Sequence, residues 1–152
     1  MAIHREVTFE RGTVGRFLQF HGISMKPVRI PRSLAPELVE KLAEEGENLY
    51  ILRFVGPRGS METWLNWPKG SVPTAEQAIV ALGLGALEYE QSGGDLFGWA
   101  TQAGLDPTSP ETRRIFRDLR RDTELLANFL GPEGFVELLD LVSGFASRPK
   151  GP

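Results

Sequence analysis

His4 and His21 are the only imidazoles in this 152-residue chain, and there is no cysteine beside them. A metal ion held by nitrogen donors would need both rings within one coordination sphere. Ile3, Val7 and Phe9 alternate with His4, Glu6 and Thr8, which predicts a strand with one buried face. Val14, Leu18 and Phe20 continue the pattern, and a two-residue loop at Arg11-Gly12 predicts a hairpin. That register sets His4 beside Gln19 and makes His21 its diagonal neighbour, about 7–8 Å away by backbone. An exposed polar pair explains the same residues without a metal, and no metal site is expected.

The hairpin register also places Arg5 and Arg16 on the apolar face, where a guanidinium needs an anion or a route to water. Lys26, Arg29 and Arg32 follow, so residues 1–32 hold six basic side chains against two acidic ones. This predicts an anion or nucleic-acid surface as the alternative reading of the chain. Arginine stems covering a sheet margin would account for the same placement.

Two further stretches could recognise a macromolecule. "SPETRRIFRDLRRD" (109–122) contains five arginines. On a helical wheel Arg113, Arg117 and Arg120 share a face, while Ile115, Leu119, Leu126 and Phe129 form an apolar stripe. Carboxylates interleave with the arginines, and Arg114–Asp118 and Arg120–Glu124 have the spacing of ion pairs. From Glu111 to Glu124 five cations face four anions, too small an excess for a phosphate stripe. A solvated helix face is the ordinary reading, and a protein-docking face the functional one. In "METWLNW", Trp64 and Trp67 have opposite parity and leave a regular strand on opposite faces. Unless both faces are covered, one tryptophan is an exposed anchor.

Signatures of catalysis are missing. "LGLGAL" opens like a dinucleotide fingerprint, but Glu88 stands where the third glycine belongs. No phosphate loop, nucleophile elbow or zinc-protease motif occurs. Glu37, Glu40 and Glu44 fall on a solvated helix face. A chain without enzymatic activity and without a cofactor is expected.

The elements that would position these residues can be read in order. "SLAPELVEKLAEEG" (33–46) predicts a short amphipathic helix capped by Ser33 and ended by Gly46. "NLYILRFVGPRGSMETWLNW" predicts two strands around Gly56-Pro57-Arg58-Gly59, the first apolar on both sides and therefore central. Thr74 and Gln77 form a capping box for a helix to about Tyr89. Asp95 caps a short helix to Ala103. Ser109 and Pro110 open a long helix ending at Gly131-Pro132, and a last helix covers about 133–145. The expectation is a single α+β domain over 1–146: about four antiparallel strands and one short helix over 1–70, then about four helices, with 147–152 a frayed tail. Hydrophobic residues at 41% and charged residues at 24% suit a soluble globular protein, and no apolar run is long enough to span a membrane. A cytoplasmic location is expected.

The segment "DLFGWATQAGLDPTSPETRRIFRDLRRDTELLANFLG" resembles one found in small uncharacterised proteins of phages and mobile elements. Phe97, Trp99, Gly104, Asp106, Ser109, Ile115, Phe116 and Leu126 occupy the positions of that pattern, and the resemblance spans about 60–140. It implies a genomic context and no catalytic residue. The combined expectation is a small regulatory protein that binds a host or cognate protein through Trp64, Trp67 and Arg113, Arg117 and Arg120. Nucleic-acid binding through Arg5, Arg16, Lys26, Arg29 and Arg32 is the alternative.

Overall fold

A computed structural model describes residues 11–146. The fold is α+β, in the order α1 (Arg11–Phe20), β1 (Ser24–Arg29), α2 (Pro36–Glu44), β2 (Glu47–Gly56), β3 (Gly59–Pro68), α3 (Ala75–Gln91), α4 (Leu96–Ala103) and α5 (Pro110–Ala146). The chain divides into two compact units, Met1–Ala81 and Leu82–Pro152, with the division inside α3.

In the first unit the strands form one antiparallel sheet in the order β1-β2-β3. Three strands stand among the described residues where about four were expected. Residues 14–20, read as the second strand of an N-terminal hairpin, belong to helix α1. Val14, Phe17 and Leu18 are buried at i, i+3 and i+4, while Phe20 is 81% exposed. The strand reading used Phe20 and left Phe17 unplaced; the helical period buries the larger apolar set. Ile3 to Phe9 lies outside the described residues.

β2 and β3 meet through the two-residue turn Pro57-Arg58. Pro57 presets the first turn position, and Gly59 takes a φ of 124°, which a Cβ would resist. In the resulting register Tyr50, Leu52 and Phe54 share a face with Leu65, Thr63 and Met61, and all six are buried. β2 is central, as its two-sided apolarity predicted. Among the described residues its second face is covered at one end only, where Leu49 packs with Ile30, Val39 and Leu42 against α2. That helix starts at Pro36 with Ala35 at its cap position and no side-chain cap bond, so Ser33 does not cap it. A proline at the first position presets the helical φ and needs no such donor acceptor pair. α1 runs from the first turn of α3 to the β2–β3 turn: a methyl added at Gly15 would lie 3.9 Å from Glu76 Oε1, and one at Gly22 would lie 3.6 Å from Pro57 Cγ.

α3 opens with the expected capping box, in which Gln77 N donates to Thr74 Oγ1 (3.2 Å) and Thr74 N donates to Gln77 Oε1 (3.0 Å). Asp95 caps α4 by accepting from Phe97 N and Gly98 N. In the second unit α5 spans 37 residues and is interrupted at Gly131 (φ 78°, ψ 170°), the break that the Gly-Pro pair predicted. A methyl at Gly83 of α3 would lie 2.9 Å from Val142 Cγ1, and one at Gly85 would lie 3.2 Å from Leu119 Cδ1. These glycines let both segments of α5 close on α3. Trp99 is buried and stacks at a tilt on Phe116, with ring centroids 5.3 Å apart.

Candidate functional site: the open face of the sheet

The face of the sheet opposite Leu52 and Phe54 is the one α2 covers only in part. Strand parity lays its side chains out in rows. Ser24, Val55 and Ser60 form the row nearest the β2–β3 turn, then Lys26, Arg53 and Glu62, then Val28, Ile51 and Trp64. Trp64 is 54% exposed, Val28 and Val55 are each 47% exposed, and Ile51 is half-buried. Val28, Ile51 and Trp64 form one contiguous apolar row, more informative than scattered exposed side chains, and Val55 lies beyond the row of Lys26, Arg53 and Glu62.

Polar pairs bound the strip on both sides. Arg53 Nε donates to Glu62 Oε2 at 2.8 Å across the strands. On the other side Asn66 Nδ2 donates to Glu47 Oε2 at 2.6 Å, both residues being partly buried. α2, which ends the open region, exposes Leu38 (41%) and, just before the helix, Leu34 (69%) is exposed as well. The arrangement is an apolar platform with a satisfied polar rim, the anatomy of a recognition surface. Among the described residues no group of three or more His, Asp or Glu is placed to hold a metal ion.

The expected contact residues separate. Trp64 stands on the open face as its parity predicted, but Trp67 is on the covered face at 9% exposure and cannot touch a partner. Arg113, Arg117 and Arg120 are exposed on α5, in the other unit. Arg120 pairs with Glu124 at 3.2 Å as expected. Asp118 meets Arg121 at 3.6 Å instead of Arg114. The spacing allows either partner, and i,i+3 pairing wins here.

The described members of the basic set share no common face. Arg16 is exposed on α1, and Arg5 lies outside the described residues. Lys26 pairs with Arg53 and Arg29 with Tyr50, so these two cations leave β1 on opposite faces. Arg32 lies 3.6 Å from Glu40. His21 sits in the turn after α1 with its ring 4.6 Å from Phe17, not in a strand, so the hairpin that paired it with His4 falls away. His4 is outside the described residues.

Val28 and Val55 were not anticipated as site residues. Val55 could have been found, since it shares parity with Arg53 on a strand whose other face carries Tyr50, Leu52 and Phe54. Val28 could not, because Pro27 argues against a strand unless that strand is known to lie at an edge. Comparison with family models, curated proteins and solved structures finds no match to the chain.

Proposed function

We propose that the protein is a non-enzymatic binding module that captures another protein through the open face of its sheet, with Trp64 as the anchor. The observation that carries this reading is the half-exposed Trp64 in one row with Val28 and Ile51, between the Arg53–Glu62 and Asn66–Glu47 pairs. Tryptophans at the centre of an apolar patch with a polar rim are the residues on which binding energy concentrates. The partner surface is an apolar side chain or short apolar segment that displaces water from the Trp64 ring. In the phage or mobile-element context that the 60–140 resemblance implies, that partner is a host protein.

The test is affinity capture from nuclease-treated lysate with the wild-type chain and Trp64→Ala in parallel. The expected outcome is a specific bound protein that survives nuclease and is lost or weakened at least tenfold by Trp64→Ala, with circular dichroism unchanged. Equal capture by both forms would remove this face from consideration. Capture abolished by nuclease would shift the reading to nucleic acid and to Arg16, Lys26, Arg29 and Arg32.

A further inference from the structure

The second unit carries a separation of charge that the Trp64 reading does not use. Five arginines lie between Pro110 and Asp122, whereas Thr123 to Ala146 contains Glu124, Glu133, Glu137 and Asp140 and no lysine or arginine. Apart from Glu124, which lies on the arginine segment and pairs with Arg120, the two groups sit on different segments of α5, before and after the break at Gly131.

Packing on α3 sets the direction each group faces. Leu119, in the first segment, touches α3 at Gly85; Leu138 and Val142, in the second, touch it at Gly83. Residues two apart on a helix point about 200° from one another. The two segments of α5 therefore flank α3 on nearly opposite sides. On the first segment Arg117 is two residues from the buried Leu119 and points away from α3, with Arg113 and Arg114 on the same exposed arc. On the second, Glu133 and Asp140 lie opposite Leu138 and Val142 and are exposed with Val136 (57%). The unit thus has a basic flank and, across α3 from it, an acidic one.

Both flanks keep charge in reserve. Arg120 and Arg121 are engaged by Glu124, Asp118 and Asp122, but among the described residues Arg114 and Arg117 make no ion pair. Nor do Glu133 and Asp140 among the same residues. The acidic flank also holds a shallow, open depression lined by Pro132, Glu133, Val136, Glu137 and Asp140, with Pro132 and Val136 as its apolar part. An arginine stem seats its methylenes on such a floor while its guanidinium reaches the carboxylates around it.

We propose that the occupant of the acidic flank is the basic flank of a second copy of this chain. Because the complementary surfaces lie on opposite sides of one unit, the contact is heterologous, head to tail, and leaves one flank of each kind free for the next copy. Charge complementarity sets the orientation, and burial of Val136 beneath the arginine stems supplies the apolar part. This surface is independent of Trp64 and stands or falls separately.

The experiment is sedimentation velocity on the full chain over a concentration series at about 50 mM and about 500 mM salt, conditions that separate exposed from screened ion pairs. The expected result is a mass that grows with concentration past the dimer at low salt, with association weakened on the order of tenfold at high salt. Two variants complete the test, Arg114→Glu with Arg117→Glu, and Glu133→Lys with Asp140→Lys. Each alone is expected to be monomeric, since it carries two flanks of like sign, and an equimolar mixture is expected to associate again. A wild-type chain monomeric at every concentration and salt would overturn the proposal. So would variants that associate as the wild type does, or a mixture that behaves as the sum of its parts.

Discussion

Trp64 and Trp67 are three residues apart, have the same side chain and lie on the same strand, yet only one can do recognition work. Trp67 at 9% exposure belongs to the covered face with Leu65 and Met61. Truncating a buried aromatic costs about 3–5 kcal/mol, so a Trp67 variant that lost binding would report unfolding. Trp64 contributes to the sheet only through cross-strand contacts worth about 0.2–1 kcal/mol, which is why its replacement isolates binding from stability. Asp106 offers a second single-residue case. Its carboxyl sits below the ordinary 3.8 because Thr108 N donates to Oδ1 at 2.9 Å and, second, Thr108 Oγ1 donates to the same oxygen at 2.7 Å. A depressed folded value means the turn gains stability above the unfolded value and loses it as pH falls through the folded one, in the acid range below 3.8. Thr108→Ala removes the hydroxyl and keeps the amide. The Asp106 titration followed by NMR should therefore move only part of the way back, and a full return to the ordinary value would show that the hydroxyl, not the backbone, holds the turn.

At the scale of elements, Gly131 shows what local sequence can specify. Its φ of 78° with ψ of 170° is a region open almost solely to glycine, and Pro132 directly after it cannot donate to the preceding turn. Gly131→Ala should destabilise the protein by about 1–3 kcal/mol, read as a lowered urea midpoint with an unchanged slope. No change in midpoint would mean that the break relaxes at little cost. Elements of this kind were legible in the sequence because the signal lies within a few residues of its effect: the Thr74–Gln77 box, the Asp95 cap, Pro110 and the Gly56-Pro57-Arg58-Gly59 turn all act where they were read. α1 was not legible as a helix. From Gly12 to Phe20 it carries three buried side chains, Val14, Phe17 and Leu18, and two of them, Val14 and Leu18, suit a strand of alternate positions as well as a helix. β1 was missed because pairing with β2, a non-local contact, makes a strand of a segment whose Pro27 argues locally against one. The site inherited both outcomes. Trp64 was found from parity on a locally specified hairpin, while Val28, placed beside it by β1, was not.

Over the whole molecule the net charge is −3, and what distinguishes the two partner classes is whether cations gather without anions among them. Nucleic-acid affinity rises with the number of phosphates neutralised, so basic side chains help only when they can meet one backbone together. Here Lys26 and Arg29 leave opposite faces of β1, Arg32 has Glu40 within 3.6 Å, and Arg120 and Arg121 are matched by carboxylates on their own helix. Of the α5 arginines, Arg114 and Arg117 make no ion pair among the described residues and can orient a contact with carboxylates. The full chain should therefore fail to retain single-stranded or duplex nucleic acid in a gel-shift series at about 50 mM salt, where phosphate contacts are strongest. Retention that weakened with salt along a logarithmic slope steeper than about −2.7, the value for three phosphate contacts, would contradict this distribution argument. It would require the cations of α1 and β1 to act together on one strand, and substitution of Arg16 and Lys26 would then flatten the slope by about one contact each.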